Sequence, residues 1–131
     1  MLNCKLTCDV QACERTRVLI EGAYIANMRD RQRALHIIGF LRAIDDYKEN
    51  SKYCLRLDAL FLHEDGFLLY RDTTLHRFLL EENRVEPFSF LLPYPERCFD
   101  PGDCHEIKLS PRWEALDWPH EAEWLFRSAN G

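Results

Sequence analysis

The sequence predicts an α+β fold: two N-terminal helices packed on an antiparallel sheet of about four to five strands, closed by a short C-terminal helix. Three observations carry that prediction. Apolar residues recur at helical spacing in the first third, an Asp-Gly pair separates two apolar runs in the middle, and a proline-rich break precedes a C-terminal stretch that holds every tryptophan.

The first helix starts at Asp9, whose short carboxylate suits an N-cap, and carries Val10, Cys13, Ile20, Tyr24 and Met28 along one face. Arg17 interrupts this stripe and Gly22 weakens it, so a kink is expected near the middle. The second helix has the cleaner period. Ala34, Ile37, Ile38, Leu41 and Ile44 fall at helical spacing, while Arg33, Arg42, Asp45 and Asp46 lie elsewhere on its surface. Asp30 is placed to cap it and Asn50-Ser51 to close it.

Tyr53–Leu62 and Phe67–Tyr70 flank His63-Glu64-Asp65-Gly66, and Asp-Gly between apolar runs is a strong hairpin signal. A second hairpin is read from His76–Leu80 to Phe88–Leu92, with a short helix over residues 74–82 as the rival reading. Pro87 cannot donate to a ladder, so its strand starts at Phe88 or lies at a sheet edge. Residues 93–104 hold three prolines and a glycine, and a loop this long either performs a function or is pinned. His105–Leu109 reads as one more strand. Ser110-Pro111 then reads as N-cap and first position of a helical turn through Trp113 and Leu116. A last helix is expected from near Pro119, with Ala122, Leu125 and Phe126 on one side. Without internal repeats or a linker, residues 1–131 read as a single domain, long enough to bury its own core.

No apolar run reaches the roughly 18–20 residues that a membrane helix needs. Met1–Asp9 has no apolar signal segment, so the expected address is cytoplasmic and no membrane partner is expected. In a reducing compartment the six cysteines are expected to be free thiols. The net charge is −5, but residues 1–52 carry +2 and residues 53–131 carry −7. A nucleic-acid binder shows a basic excess instead, so no nucleic-acid partner is expected. Arg29, Arg31 and Arg33 are interrupted by Asp30 and read as a solvated connection.

Phosphate-binding glycine loops, nucleophile elbows and His-Glu-x-x-His helices are all missing from the sequence. Cys4, Cys8 and Cys13 cluster near one end, and Cys98, Cys104 and His105 near the other. Neither cluster has the close pairs that zinc sites favour, although the two would form a donor set if they met in space. No cofactor or metal is expected. Adjacency of Cys104 and His105 does not by itself place imidazole against thiol. His36 reads as a helix-surface residue, and His63-Glu64-Asp65 as a charged turn.

The C-terminal segment is the candidate binding surface. Trp113, Trp118 and Trp124 fall within twelve residues, interleaved with Glu114, Asp117, Glu121 and Glu123. Tryptophan anchors interfaces and acidic neighbours steer basic partners, although a docking helix would also use tryptophan to join the core. The expected function is therefore non-catalytic. The chain reads as a small binding protein that inhibits or sequesters a basic partner protein, of the inhibitor, immunity or chaperone type found among phage proteins. The alternative is a small enzyme or zinc-binding protein using the Cys98–His105 loop. A homodimer through the exposed sheet is a third arrangement.

Overall fold

The computed structural model describes residues 4–26, 34–44, 53–76 and 85–115. They form β1 (Lys5–Cys8), α1 (Val10–Thr16), β2 (Val18–Ala26), β3 (Leu35–Ala43), β4 (Tyr53–His63), β5 (Leu68–His76), β6 (Val85–Leu92) and β7 (Cys104–Ala115). One sheet has the order β1-β7-β4-β5 and the other β2-β3-β6. Every pairing is antiparallel except β1 with β7. The architecture is mainly β, which corrects the expected α+β arrangement of two N-terminal helices on a sheet.

Only the first turns of the expected first helix exist. Asp9 does cap α1: its Oδ1 accepts from the Ala12 N–H at 3.1 Å, and its Oδ2 from the Ser110 hydroxyl at 3.1 Å. The helix stops at Arg17, which adopts the left-handed conformation at φ 60°. Val18-Leu19-Ile20 then favours extended backbone, since branched side chains pack well on a pleated surface. Tyr24 therefore belongs to β2, past a bulge between Glu21 and Tyr24. Met28 lies outside the described residues.

The expected second helix is strand β3. Leu35, Ile37, Gly39, Leu41 and Ala43 turn into the core, and His36, Ile38, Phe40 and Arg42 turn outward. Ile37 and Leu41 satisfy both a period of four and a period of two, and the outward Ile38 completed a false helical stripe. Gly39 shows why the strand wins. Its cross-strand neighbour is Phe88, and a Cβ on residue 39 would come within 2.6 Å of that ring and 3.0 Å of the Ala23 Cα. The aromatic ring covers the glycine and fills the space that a side chain would occupy.

β4 and β5 form the hairpin expected at Asp65-Gly66. Gly66 sits at φ 89°, the His63 N–H donates to Phe67 O at 3.0 Å, and the His63 ring stacks on Phe67 at 4.4 Å. Among the described residues β5 pairs with β4 and β6 with β3, in different sheets; residues 77–80 of the expected second hairpin lie outside the described residues. Thr74–His76 are strand; residues 77–82 of the rival helix lie outside the described residues. Pro87 is tolerated because β6 is an edge strand.

The helical turn expected at Ser110-Pro111 is also corrected, since β7 runs unbroken from Cys104 to Ala115. β1 pairs only with Glu106–Leu109, so Pro111 lies past the end of that neighbour and its missing N–H costs no ladder bond. The helix expected near Pro119 lies outside the described residues.

Both sheets feed one core. Val18, Ile37, Leu41 and Phe90 from the three-stranded sheet meet Leu55, Leu57, Phe61, Ile107 and Leu109 from the other. Residues 93–104 form two 3-10 turns, Pro95–Arg97 and Pro101–Asp103. Phe99 plugs this loop into the core 4.9 Å from the Phe61 ring, so the loop is pinned by packing.

Candidate functional site

The outward faces of the two sheets differ in chemistry. On the four-stranded sheet, charged groups satisfy one another. Asp58, only 5% exposed, accepts from Thr73 Oγ1 at 2.7 Å and Arg112 Nε at 2.9 Å. Glu114 accepts from both Arg56 and Arg112, and Glu106 accepts from Thr7. Among the described residues no buried side-chain nitrogen or oxygen lacks a partner. Such a face is stable against water as it stands.

The outward face of the three-stranded sheet is apolar. Register sets it out in four cross-strand rows: Leu19, Arg42 and Val85; Glu21, Phe40 and Pro87; Tyr24, Ile38 and Ser89; Ala26, His36 and Leu91. Tyr24, Phe40 and Leu91 are each about half exposed, at 54%, 49% and 52%. Between Tyr24 and Phe40 lies a groove of about 460 Å³, lined also by His36, Ile38, Pro87 and Ser89. An ion pair on the face, Arg42 Nε to Glu21 at 2.8 Å, sits toward one end and holds the Glu21 carboxyl below its usual range. Isolated exposed apolar residues are ordinary on protein surfaces, but a contiguous patch that continues across three strands marks a contact site.

Of the residues singled out from the sequence, the two that are described, Trp113 and Glu114, lie elsewhere. Trp113 is partly buried against the core and donates its indole N–H to Thr16 O at 2.9 Å. Glu114 is the ion-paired carboxylate of the charged sheet face. Asp117, Trp118, Glu121, Glu123 and Trp124 lie outside the described residues.

Strand alternation separates Cys104 from His105, with the thiol turned into the core and the imidazole exposed. The two cysteine clusters meet in part, because the pairing of β1 with β7 brings Cys4 against the core cluster that holds Cys104. Among the described residues, no group of three or more His, Cys, Asp or Glu is arranged to hold a metal ion. All six cysteines are free.

The inward side of edge strand β5 carries Tyr70, Asp72, Thr74 and His76 opposite Phe61, Ala59, Leu57 and Leu55. His76 Nε2 lies 2.7 Å from Thr74 Oγ1, and burial pushes the imidazole down to about 4. An unfolded histidine titrates near 6.5, so between about pH 4 and 6.5 the unfolded chain holds more protons. Stability is therefore complete above that window and falls as the pH drops through it, by roughly 1–3 kcal/mol at the acid end. Denaturant midpoints from pH 7.5 to 4 should show this loss, and His76→Asn should flatten it. A wild-type midpoint constant over the range would show that the imidazole charges without penalty. Asp9 and Glu21, whose carboxyls are held below their usual values, add a loss of the same sign near the acid end, so the His76 share is the difference between wild type and His76→Asn.

Compared with protein-family models, curated proteins and solved structures, the chain matches none. The comparisons thus give no support to the inhibitor, immunity or phage types expected from composition. Among the described residues, no helix is long and apolar enough to cross a membrane.

Proposed function

We propose that this chain is a non-catalytic, cytoplasmic protein-binding domain that docks a partner through the apolar face of β2, β3 and β6. The single observation carrying this reading is the set of half-exposed Tyr24, Phe40 and Leu91 on one sheet face, with Tyr24 and Phe40 lining its groove. Large apolar side chains beside a concave floor are what an interface core requires, with the rim supplied here by the Glu21–Arg42 pair.

Charge selects the occupant. The chain carries −5, so two copies repel while a protein with an apolar patch in a basic surround is drawn in. Asp117, Glu121 and Glu123 belong to the −7 segment and add to that attraction. The apolar face supplies the contact, and the acidic field supplies the association rate.

The test compares wild type with Phe40→Asp as bait in host lysate, followed by binding kinetics on the purified partner. Phe40 is half exposed, so the variant should keep its unfolding midpoint while losing about ten- to a hundredfold in affinity, ~1.4–2.7 kcal/mol. Association of wild type should slow as salt rises from low to high. Equal affinity of the variant would remove this face from consideration. Concentration-dependent dimers in sedimentation, abolished by Phe40→Asp, would assign the face to a second copy instead.

A further inference from the structure

We infer that Cys4 and Cys104 form a modification site, closing on oxidation into a disulfide that ties β1 to β7. The strand register brings them together. Lys5 pairs with Glu106 in the parallel ladder, so Cys4 stands at the entrance of β1 beside the first residues of β7. That register sets Cys4 opposite His105, one residue from Cys104; strands about 4.8 Å apart with a rise of about 3.3 Å per residue put such a diagonal pair at about 6 Å between Cα atoms, inside the reach of a disulfide. Cys104 is 5% exposed and part of the core cluster, and Cys4 packs partly buried against that same cluster. Both side chains therefore turn toward the same core, on adjacent strands of one sheet.

The other cysteines are less well placed. Cys54 is buried within β4. Cys8 is exposed at the end of β1, and Cys13 is buried in the helix that follows. Cys98 is partly buried and packs against the core cluster from the 93–104 loop.

The oxidant is a low-molecular-weight disulfide such as oxidised glutathione. The Cys4 thiol, the more accessible of the two, loses its proton and attacks one sulfur of the reagent, releasing one small thiolate. Cys104, deprotonated in turn, displaces the second small thiolate from Cys4 and forms the Cys4–Cys104 bond. Two protein thiols lose two protons and two electrons, and one reagent disulfide becomes two thiols. Burial pushes the Cys4 thiol up to about 12, so exchange is slow near neutral pH and the pair stays reduced where the disulfide pool is small. Once formed, the bond secures the four-residue edge strand β1, which otherwise rests on β7 alone within its sheet.

The experiment incubates reduced native protein with oxidised glutathione at mildly alkaline pH, quenches with acid, blocks remaining thiols and maps cross-linked peptides without reduction. A Cys4–Cys104 peptide should appear first, the thiol titre should fall by two, and the thermal midpoint should rise and return on reduction. Cys4→Ser should lose both the cross-link and the oxidant-dependent rise while keeping its far-UV spectrum. Cys104→Ala, tested in parallel, should behave the same way and covers the case in which the serine variant does not fold. A first cross-link between any other pair, stable glutathione adducts without a cross-link, or an undiminished midpoint rise in a folded variant would overturn the inference. None of these readouts involves the apolar sheet face, so the two proposals fail separately.

Discussion

Replacing Phe61 by alanine should lower the unfolding free energy by about 3–5 kcal/mol, near the upper limit for a single truncation. Phe61 is fully buried in β4, and its ring contacts Tyr70 at 5.7 Å and Phe99 at 4.9 Å. Truncation therefore opens a cavity under three elements at once: the central strand, its hairpin partner and the plugged 93–104 loop. Partial collapse is resisted from both sides, because Leu57, Ala59 and Ile107 are already closely packed around the site. Urea denaturation reads the effect as a lowered midpoint at nearly constant slope. Limited proteolysis should in addition cut between residues 93 and 104, since the plug loses its seat. A loss below about 1 kcal/mol would mean that the loop does not depend on this ring.

Leu41→Ala should cost about 2–5 kcal/mol, while Phe40→Ser one residue away should change stability by less than about 0.5 kcal/mol. The contrast follows from strand alternation: Leu41 is fully buried between β2 and β6, and Phe40 faces out at 49% exposure. Both variants are measured in the same denaturant series. Comparable losses at the two positions would put both side chains in the core, which a strand at this place does not allow.

That pair of neighbours also shows how far the sequence could be read. Where local chemistry decides the outcome, it was legible: the Asp9 cap, the Asp65-Gly66 turn and the edge position of Pro87 all follow from one or two residues. Where the decision rests on a period, it was not. An ordinary half-exposed strand alternates apolar and polar residues, but β3 points Ile38 and Phe40 at the solvent, and the alternation vanishes into a helix-like stripe. β2 hides its period behind the bulge after Glu21, and β7 hides its continuity behind Pro111. The outward apolar residues on which the docking proposal rests are thus the ones that obscured these strands.

The candidate site was illegible for a related reason. Tyr24, Phe40 and Leu91 stand far apart in the chain and become neighbours only through the β2-β3-β6 order. Tryptophan-rich composition drew attention to Trp113, whose indole is committed to the Thr16 carbonyl. The separated cysteine clusters were a better guide, since Cys4 and Cys104 do come together. The signal there was the spacing of thiols across nearly the whole described chain.

The parallel pairing of β1 with β7 has a consequence for how the molecule is made. Lys5 finds its register only against Glu106, and Cys8 only against Leu109, so β1 emerges from the ribosome about a hundred residues ahead of its partner. The three-stranded sheet has all its strands once Leu92 has been translated, and β4 with β5 can zip as a local hairpin earlier still. The first strand must stay unpaired throughout, because the strand that receives it is the last described element of the fold. Contacts this remote in sequence carry the largest loop-closure entropy and slow folding toward the millisecond-to-second range. β7 lies between β4 and β1, so a chain in which it has not yet paired leaves Leu55, Leu57 and Phe61 without their cross-strand neighbours Trp113, Pro111 and Ile107.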